Sequence, residues 1–180
     1  MTDQTTVYIA TSLDGFIADQ EGGLDWLTEG AAEDEGDYGF VDFLASIDAI
    51  IMGRRTFETV ASFGDWPYDK PVFVASTTLH ALPPEHRRNA LLVSGHPGDI
   101  LSTLRAEGHR RFYIDGGNTI RRFLEADLID RLILTRIPTL LGGGTPLFGP
   151  LARPLSWRHI ETKILANRLV QSTYERARSS

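Results

Sequence analysis

The chain has 180 residues, 42% of them hydrophobic and 23% charged, with a net charge of −6 and no cysteine. That length and composition suit one globular domain with a sizeable core, and exclude disulfides, thiol catalysis and thiolate metal sites. The negative balance speaks against nucleic acid as a partner, because affinity for a phosphate backbone rests on clustered Lys and Arg.

The first segment, Met1 to Thr6, has neither the basic nor the apolar region of a signal peptide, and a cytoplasmic protein is expected. No apolar run later in the chain reaches the ~18 residues of a membrane span. Thr6 to Thr11 is rich in β-branched and aromatic residues and predicts a first strand. Ser12-Leu13-Asp14-Gly15 begins a loop running to about Asp34, long enough to suggest a lid or binding loop. Within it, Trp26 and Leu27 suit either a lid over a ligand or packing beneath the loop. Asp37 to Ile47 reads as a helix, since Phe40, Val41, Phe43, Leu44 and Ile47 recur at steps of three and four.

Ala49 to Met52 is a second strand, followed by Gly53-Arg54-Arg55-Thr56 and a helix from Thr56 to Ser62. A buried strand ending in Gly and opening a cationic helix turn is suited to phosphate. Free N–H groups and the helix dipole favour an anion there, and Arg adds a forked donor. Pro71 to Ala75 predicts a third strand ending in Ser76-Thr77-Thr78, and Leu91 to Val93 a short fourth. Asp99 to Glu107 is a helix stopped by Gly108. Phe112 to Ile114 is a fifth strand, leading into Asp115-Gly116-Gly117-Asn118-Thr119 and a helix from Thr119 to Glu125. This second strand–Gly–helix junction, in which Asp115 suits a turn-stabilising role, suggests an extended anionic ligand such as a dinucleotide. Arg131 to Ile137 is a sixth strand. Trp157 to Leu165 and Leu169 to Tyr174 form a hairpin about Ala166-Asn167-Arg168.

Strand–helix alternation with an antiparallel end predicts a single three-layer α/β domain. Its mixed, mostly parallel sheet of about eight strands is flanked by helices and closes on a C-terminal hairpin. Of the four Arg pairs, only Arg54-Arg55 directly follows a strand; Arg87-Arg88, Arg110-Arg111 and Arg121-Arg122 suit solvated surface. The five histidines show no metal-ligand spacing, so no metal is expected. Gly142-Gly143-Gly144 does not follow a first strand in a dinucleotide frame and reads as a structural turn.

In order along the chain, S-L-D-G-F-I-A, I-I-M-G-R-R-T-F-E, V-F-V-A-S, Y-I-D-G-G-N-T-I and L-L-G-G-G-T-P-L-F resemble the dihydrofolate reductase superfamily. More specifically, the chain resembles the C-terminal reductase domain of the bifunctional riboflavin-biosynthesis deaminase–reductase, RibD, and its stand-alone relatives. The resemblance implies NADPH across the C-terminal ends of the strands. Ala10 and Thr11 would meet the nicotinamide carboxamide. Gly53, Arg54, Arg55 and Thr56 would hold the pyrophosphate and adenosine phosphate, with Ser76 beside the 2′-phosphate. Gly116, Gly117, Asn118, Thr119 and Ile120 would cradle the other side of the pyrophosphate. It also implies a homodimer formed through a sheet edge or the C-terminal strands.

The implied activity is that of a 5-amino-6-(5-phosphoribosylamino)uracil reductase-like enzyme. Dihydrofolate reduction and a non-catalytic NADP-binding or regulatory protein are the alternatives. Folate reductases carry an acid on their first helix, which falls on Asp37 here, with Glu35 as a fallback if the register slips. Asp14 at the loop entrance is a second candidate proton donor. Two positions depart from the resemblance. Asp69 lies near the place of a carboxylate-binding Arg in folate reductases, and Tyr8 stands where riboflavin-type reductases carry a basic residue. The P-C-x-x-C part of the zinc signature of a deaminase half is missing, since the chain has no cysteine.

Overall fold

The structure, a computed structural model, describes residues 2–30 and 36–178. Ten strands are found among them: β1 (Gln4–Thr11), β2 (Phe16–Ala18), β3 (Ala49–Gly53), β4 (Val72–Ala75), β5 (Ala90–Val93), β6 (Arg111–Asp115), β7 (Arg131–Arg136), β8 (Thr145–Pro146), β9 (Trp157–Leu165) and β10 (Leu169–Arg176). The α-helices are α1 (Phe40–Ser46), α2 (Arg54–Ala61), α3 (Pro97–Ala106) and α4 (Gly117–Glu125).

Eight strands form one sheet in the order β5-β4-β3-β6-β1-β7-β10-β9. The pairs from β5 through β7 are parallel, and β10 joins β7 and β9 antiparallel. Ile50, Ile51 and Met52 are wholly buried, as befits a parallel strand covered on both faces. Alternate side chains feed two separate cores. Ile51, Phe112 and Ile114 meet Leu101, Leu104, Ile120 and Phe123 on one face. Ile50, Met52, Val74 and Tyr113 meet Phe43 and Phe57 on the other. The hairpin turn works because Ala166 and Asn167 both take positive φ, at 50° and 54°, matching the twist of the strands.

Three expectations shift. First, α1 begins at Phe40, because Tyr38 (φ 56°) and Gly39 (φ 86°) are left-handed and Asp37 therefore lies in the turn before the helix. Second, α2 starts at Arg54 and α4 at Gly117, two residues earlier in each case, so both arginines are helical. Third, the segment after Thr11 is not all loop: β2 pairs with β8, and Asp25–Leu27 forms a 3-10 turn. Of the two roles open to Trp26, packing beneath the loop is the one observed: it sits in the core with Ile137 and Leu169. Glu35 lies outside the described residues. No helix among the described residues is long and apolar enough to cross a membrane.

Candidate active site

β3 and β6 are parallel neighbours with Met52 opposite Asp115, so their C-terminal ends deliver Gly53 and Gly116 side by side. The helices that follow then part. Phe57 of α2 packs on one face of the sheet, and Ile120 and Phe123 of α4 on the other. Divergence of this kind at the C-terminal ends of adjacent strands marks the usual ligand position in an open α/β sheet.

Neither helix has a side-chain cap or an acidic residue in its first turn. The orphan N–H groups and the positive dipole ends of two helices therefore converge, with no acid inside either first turn. The two turns also interlock. A Cβ on Gly53 would lie 2.7 Å from Thr119 Oγ1, and one on Gly116 would run into Thr56 Oγ1. Gly116 adds a positive φ of 89°, which only glycine adopts at low cost. Replacing Gly116 with Ala should destabilise the fold by at least about 2 kcal/mol through strain and this collision, which urea unfolding would measure.

The register of β3 on β4 sets Gly53 opposite Ala75, bringing Arg54 to Ser76 and Thr78. Arg54 Nη1 lies 3.5 Å from Thr78 Oγ1, which is 3.4 Å from Ser76 Oγ. Ser76 Oγ also accepts the N–H groups of Thr78 and Leu79, so its hydroxyl is fixed in place. Arg55 is exposed in the same first turn. Other arginines serve the scaffold. Arg111 pairs with Asp48 at 2.8 Å, Arg121 donates to the Pro146 carbonyl at 2.6 Å, and Arg122 to that of Gly95 at 2.7 Å.

Within the second turn the predicted residues separate by task. A Cβ on Gly117 would lie 2.7 Å from Ile17 Cδ1, and Asn118 is exposed. Thr119 backs onto Gly53, whereas the Ile120 side chain is wholly in the core. Ala10 and Thr11 end β1, with Ala10 against Trp26 and the Thr11 carbonyl accepting Ile137 N–H at 2.8 Å.

The two acids picked from sequence hold backbone. Asp14 accepts from Ser12 Oγ at 2.6 Å and from the N–H groups of Leu141 and Gly142 at 3.1 and 2.8 Å. These bonds, that from Ser12 foremost, hold its carboxyl below the usual range and pin the β1–β2 turn to the triple glycine. Asp37 accepts from Val41 N–H at 2.6 Å and Gly39 N–H at 3.3 Å, which lowers its pKa too.

Asp115 behaves differently. Burial pushes its carboxyl up to about 6, against the opposing pull of the Gly116 N–H and the Tyr113 hydroxyl. It ends β6 directly before the glycine turn and its charge is felt at Tyr68 as well as Tyr113. A carboxyl that keeps its proton toward neutral pH at such a strand end is suited to proton delivery. Its place before the double glycine predicts a turn role alone, which its bond from Gly116 N–H at 2.8 Å does fulfil. Tyr8, in place of a basic residue, donates to the Tyr38 carbonyl at 2.7 Å and accepts from Gln171 at 3.1 Å.

The description RibD C-terminal domain matches residues 4–171. The uncharacterized protein YwjB of Bacillus subtilis is 36% identical over 180 residues, covering 98% of this chain and all of that one. A crystal structure from Shewanella sp. PV-4, of a protein provisionally assigned to riboflavin biosynthesis, is 47% identical with a TM-score of 0.94, covering 97% of this chain and 99% of that one. Dihydrofolate reductase from Enterococcus faecalis, solved with NADP(H), has a TM-score of 0.67 at 17% identity and covers 96% of each chain, a likeness of fold. With its motifs, sheet order and this match in agreement, the chain belongs to the RibD C-terminal domain family.

Proposed function

We propose that the chain is a cytoplasmic NADPH-dependent reductase acting on a flat pyrimidine- or pteridine-like heterocycle, of the 5-amino-6-(5-phosphoribosylamino)uracil reductase type. The observation that carries this is the pair of uncapped, acid-free helix N-termini meeting at Gly53 and Gly116. Their backbone N–H groups suit a pyrophosphate. The Arg54, Ser76 and Thr78 cluster beside them suits one further phosphate, which separates NADPH from NADH.

The bound cofactor would supply hydride. The chain's own part is to hold the acceptor flat against the donor and to deliver a proton to the charge that hydride addition leaves. Asp115 is the first choice for that proton, with Asp14 and Asp37 as the other candidates. Tyr8 is uncharged and already bonded to Tyr38 and Gln171, which favours a substrate needing no cation at that point. Dihydrofolate reduction and cofactor binding without turnover are the competing activities.

The chain is also proposed to form a homodimer through β9. This strand is exposed at seven of its nine positions and ends the sheet with an unpaired edge. Light scattering at working concentration should give the mass of two chains; a single-chain mass would refute the pairing.

Cofactor choice is tested by titrating NADPH and NADH against intrinsic fluorescence. Wild type should prefer NADPH. Arg54→Ala should lose about 1.5–3 kcal/mol of NADPH affinity, with NADH little changed. If neither Arg54→Ala nor Arg55→Ala alters NADPH binding, the phosphate assignment is wrong. Turnover with a panel of pterins, pyrimidines and flavins then separates a reductase from a silent binder.

A further inference from the structure

Arg54 carries its own counter-ion. Its Nε lies 2.6 Å from Glu58 Oε1, one helical turn on, while Nη1 faces Thr78. Both side chains are about half exposed, 47% and 50%. An exposed pair of this kind adds little to stability, and its consequence falls on whatever anion comes to Arg54. We propose that Glu58 is a specificity-determining residue that weakens the preference for a 2′-phosphorylated cofactor.

Three features carry the inference. Glu58 occupies one edge of the guanidinium and leaves Nη1 directed at the two hydroxyls, so the phosphate-facing edge stays open. The carboxylate nonetheless stays within contact of that cation, and an arriving phosphate meets a neutralised pair rather than a free charge. The first turn of α2 contains no acid, and it is Glu58, one turn on, that reaches the Arg54 guanidinium. Repulsion between a fixed carboxylate and a phosphate a few ångströms farther out is worth a modest factor near a surface and is screened by salt. The effect should reach only ligands that bear the extra phosphate, because the residues that would hold the rest of the cofactor are those of the glycine turns. The proposal rests on the NADPH assignment above.

The test is a charge series at one position, Glu58→Gln and Glu58→Lys, read as dissociation constants for NADPH and NADH and for the fragments 2′,5′-ADP and 5′-AMP. Glu58→Gln keeps an acceptor for Nε and removes only the charge. It should tighten NADPH and 2′,5′-ADP about three- to tenfold, and leave NADH and 5′-AMP within twofold. Glu58→Lys should tighten the phosphorylated pair further, and high salt should shrink both gains. Unchanged or weaker NADPH binding in Glu58→Gln, or an equal change for all four ligands, overturns the proposal while the cofactor assignment stands. Failure of the wild-type protein to bind NADPH at all removes both together.

Discussion

Asp115→Asn should leave the protein more stable at pH 8 by about 1–3 kcal/mol and abolish its turnover. Burial raises the folded carboxyl to about 6 from an ordinary value near 4, so the folded chain holds this proton more tightly than the unfolded chain does. The stability that comes from the protonated form is complete at low pH. It is lost as pH climbs through the interval up to about 6, and above that a buried carboxylate is a constant burden. The asparagine oxygen can still accept from Gly116 N–H, so the turn survives while the charge is removed. Urea unfolding at pH 4 and pH 8 measures the difference. The gain should be present at pH 8 and vanish at pH 4. An equal gain at both would trace the effect to packing. Wild-type turnover in Asp115→Asn would return the proton to Asp14 or Asp37, whose alanine variants are then the next to assay.

Asp127→Asn is expected to cost about 2–4 kcal/mol at neutral pH, the opposite result from the same kind of substitution. Asp127 follows α4 in a left-handed conformation, φ 54°, which Asn also adopts readily, so backbone strain is not the issue. Its carboxylate takes both Arg176 Nε and Nη2, at 2.7 and 3.0 Å, and the Arg176 side chain is only 7% exposed. Arg153 and Arg178 add to the same carboxylate. Neutralising it leaves a buried guanidinium without its counter-ion. These bonds depress the folded carboxyl, so the stability they give is present at neutral pH and drains away as pH falls through the folded value. The deficit of Asp127→Asn should therefore narrow in acid. Glu175→Gln is the control, since its partner Arg158 is 71% exposed and the loss should stay under about 1 kcal/mol. Comparable losses for the two substitutions would refute the buried-pair account.

The strand–helix alternation was legible because each parallel strand is a short, dense apolar run and each long helix carries a 3.6-residue stripe. The start of α1 was not. Asp37 suits a first helical turn and the turn before it equally well, and only the left-handed Tyr38 and Gly39 decide between them. β8 is two residues long and exists only as the partner of β2, so no local pattern could reveal it. The glycine junctions were legible because their chemistry is local: glycine, then helix, then hydroxyl. Asp115 was not, because its raised pKa comes from burial, which only the assembled topology supplies. Trp26 was ambiguous for the same reason, since its packing partners Ile137 and Leu169 lie far along the chain.

The interlock of Gly53 with Thr119 and of Gly116 with Thr56 has a consequence for how such a protein can change over time. Each glycine is held by a threonine belonging to the other turn, so the spacing between the two turns is a joint property of four positions. A larger residue at Gly53 becomes admissible only after Thr119 has shrunk, and Thr119 has no reason to shrink while Gly53 stays. Single steps away from the arrangement run uphill, and a descendant that binds a ligand of different span must pass through a paired replacement. The two glycine turns are therefore slow to drift, whereas an exposed position such as Asn118, which no such pairing holds, is free to change one residue at a time.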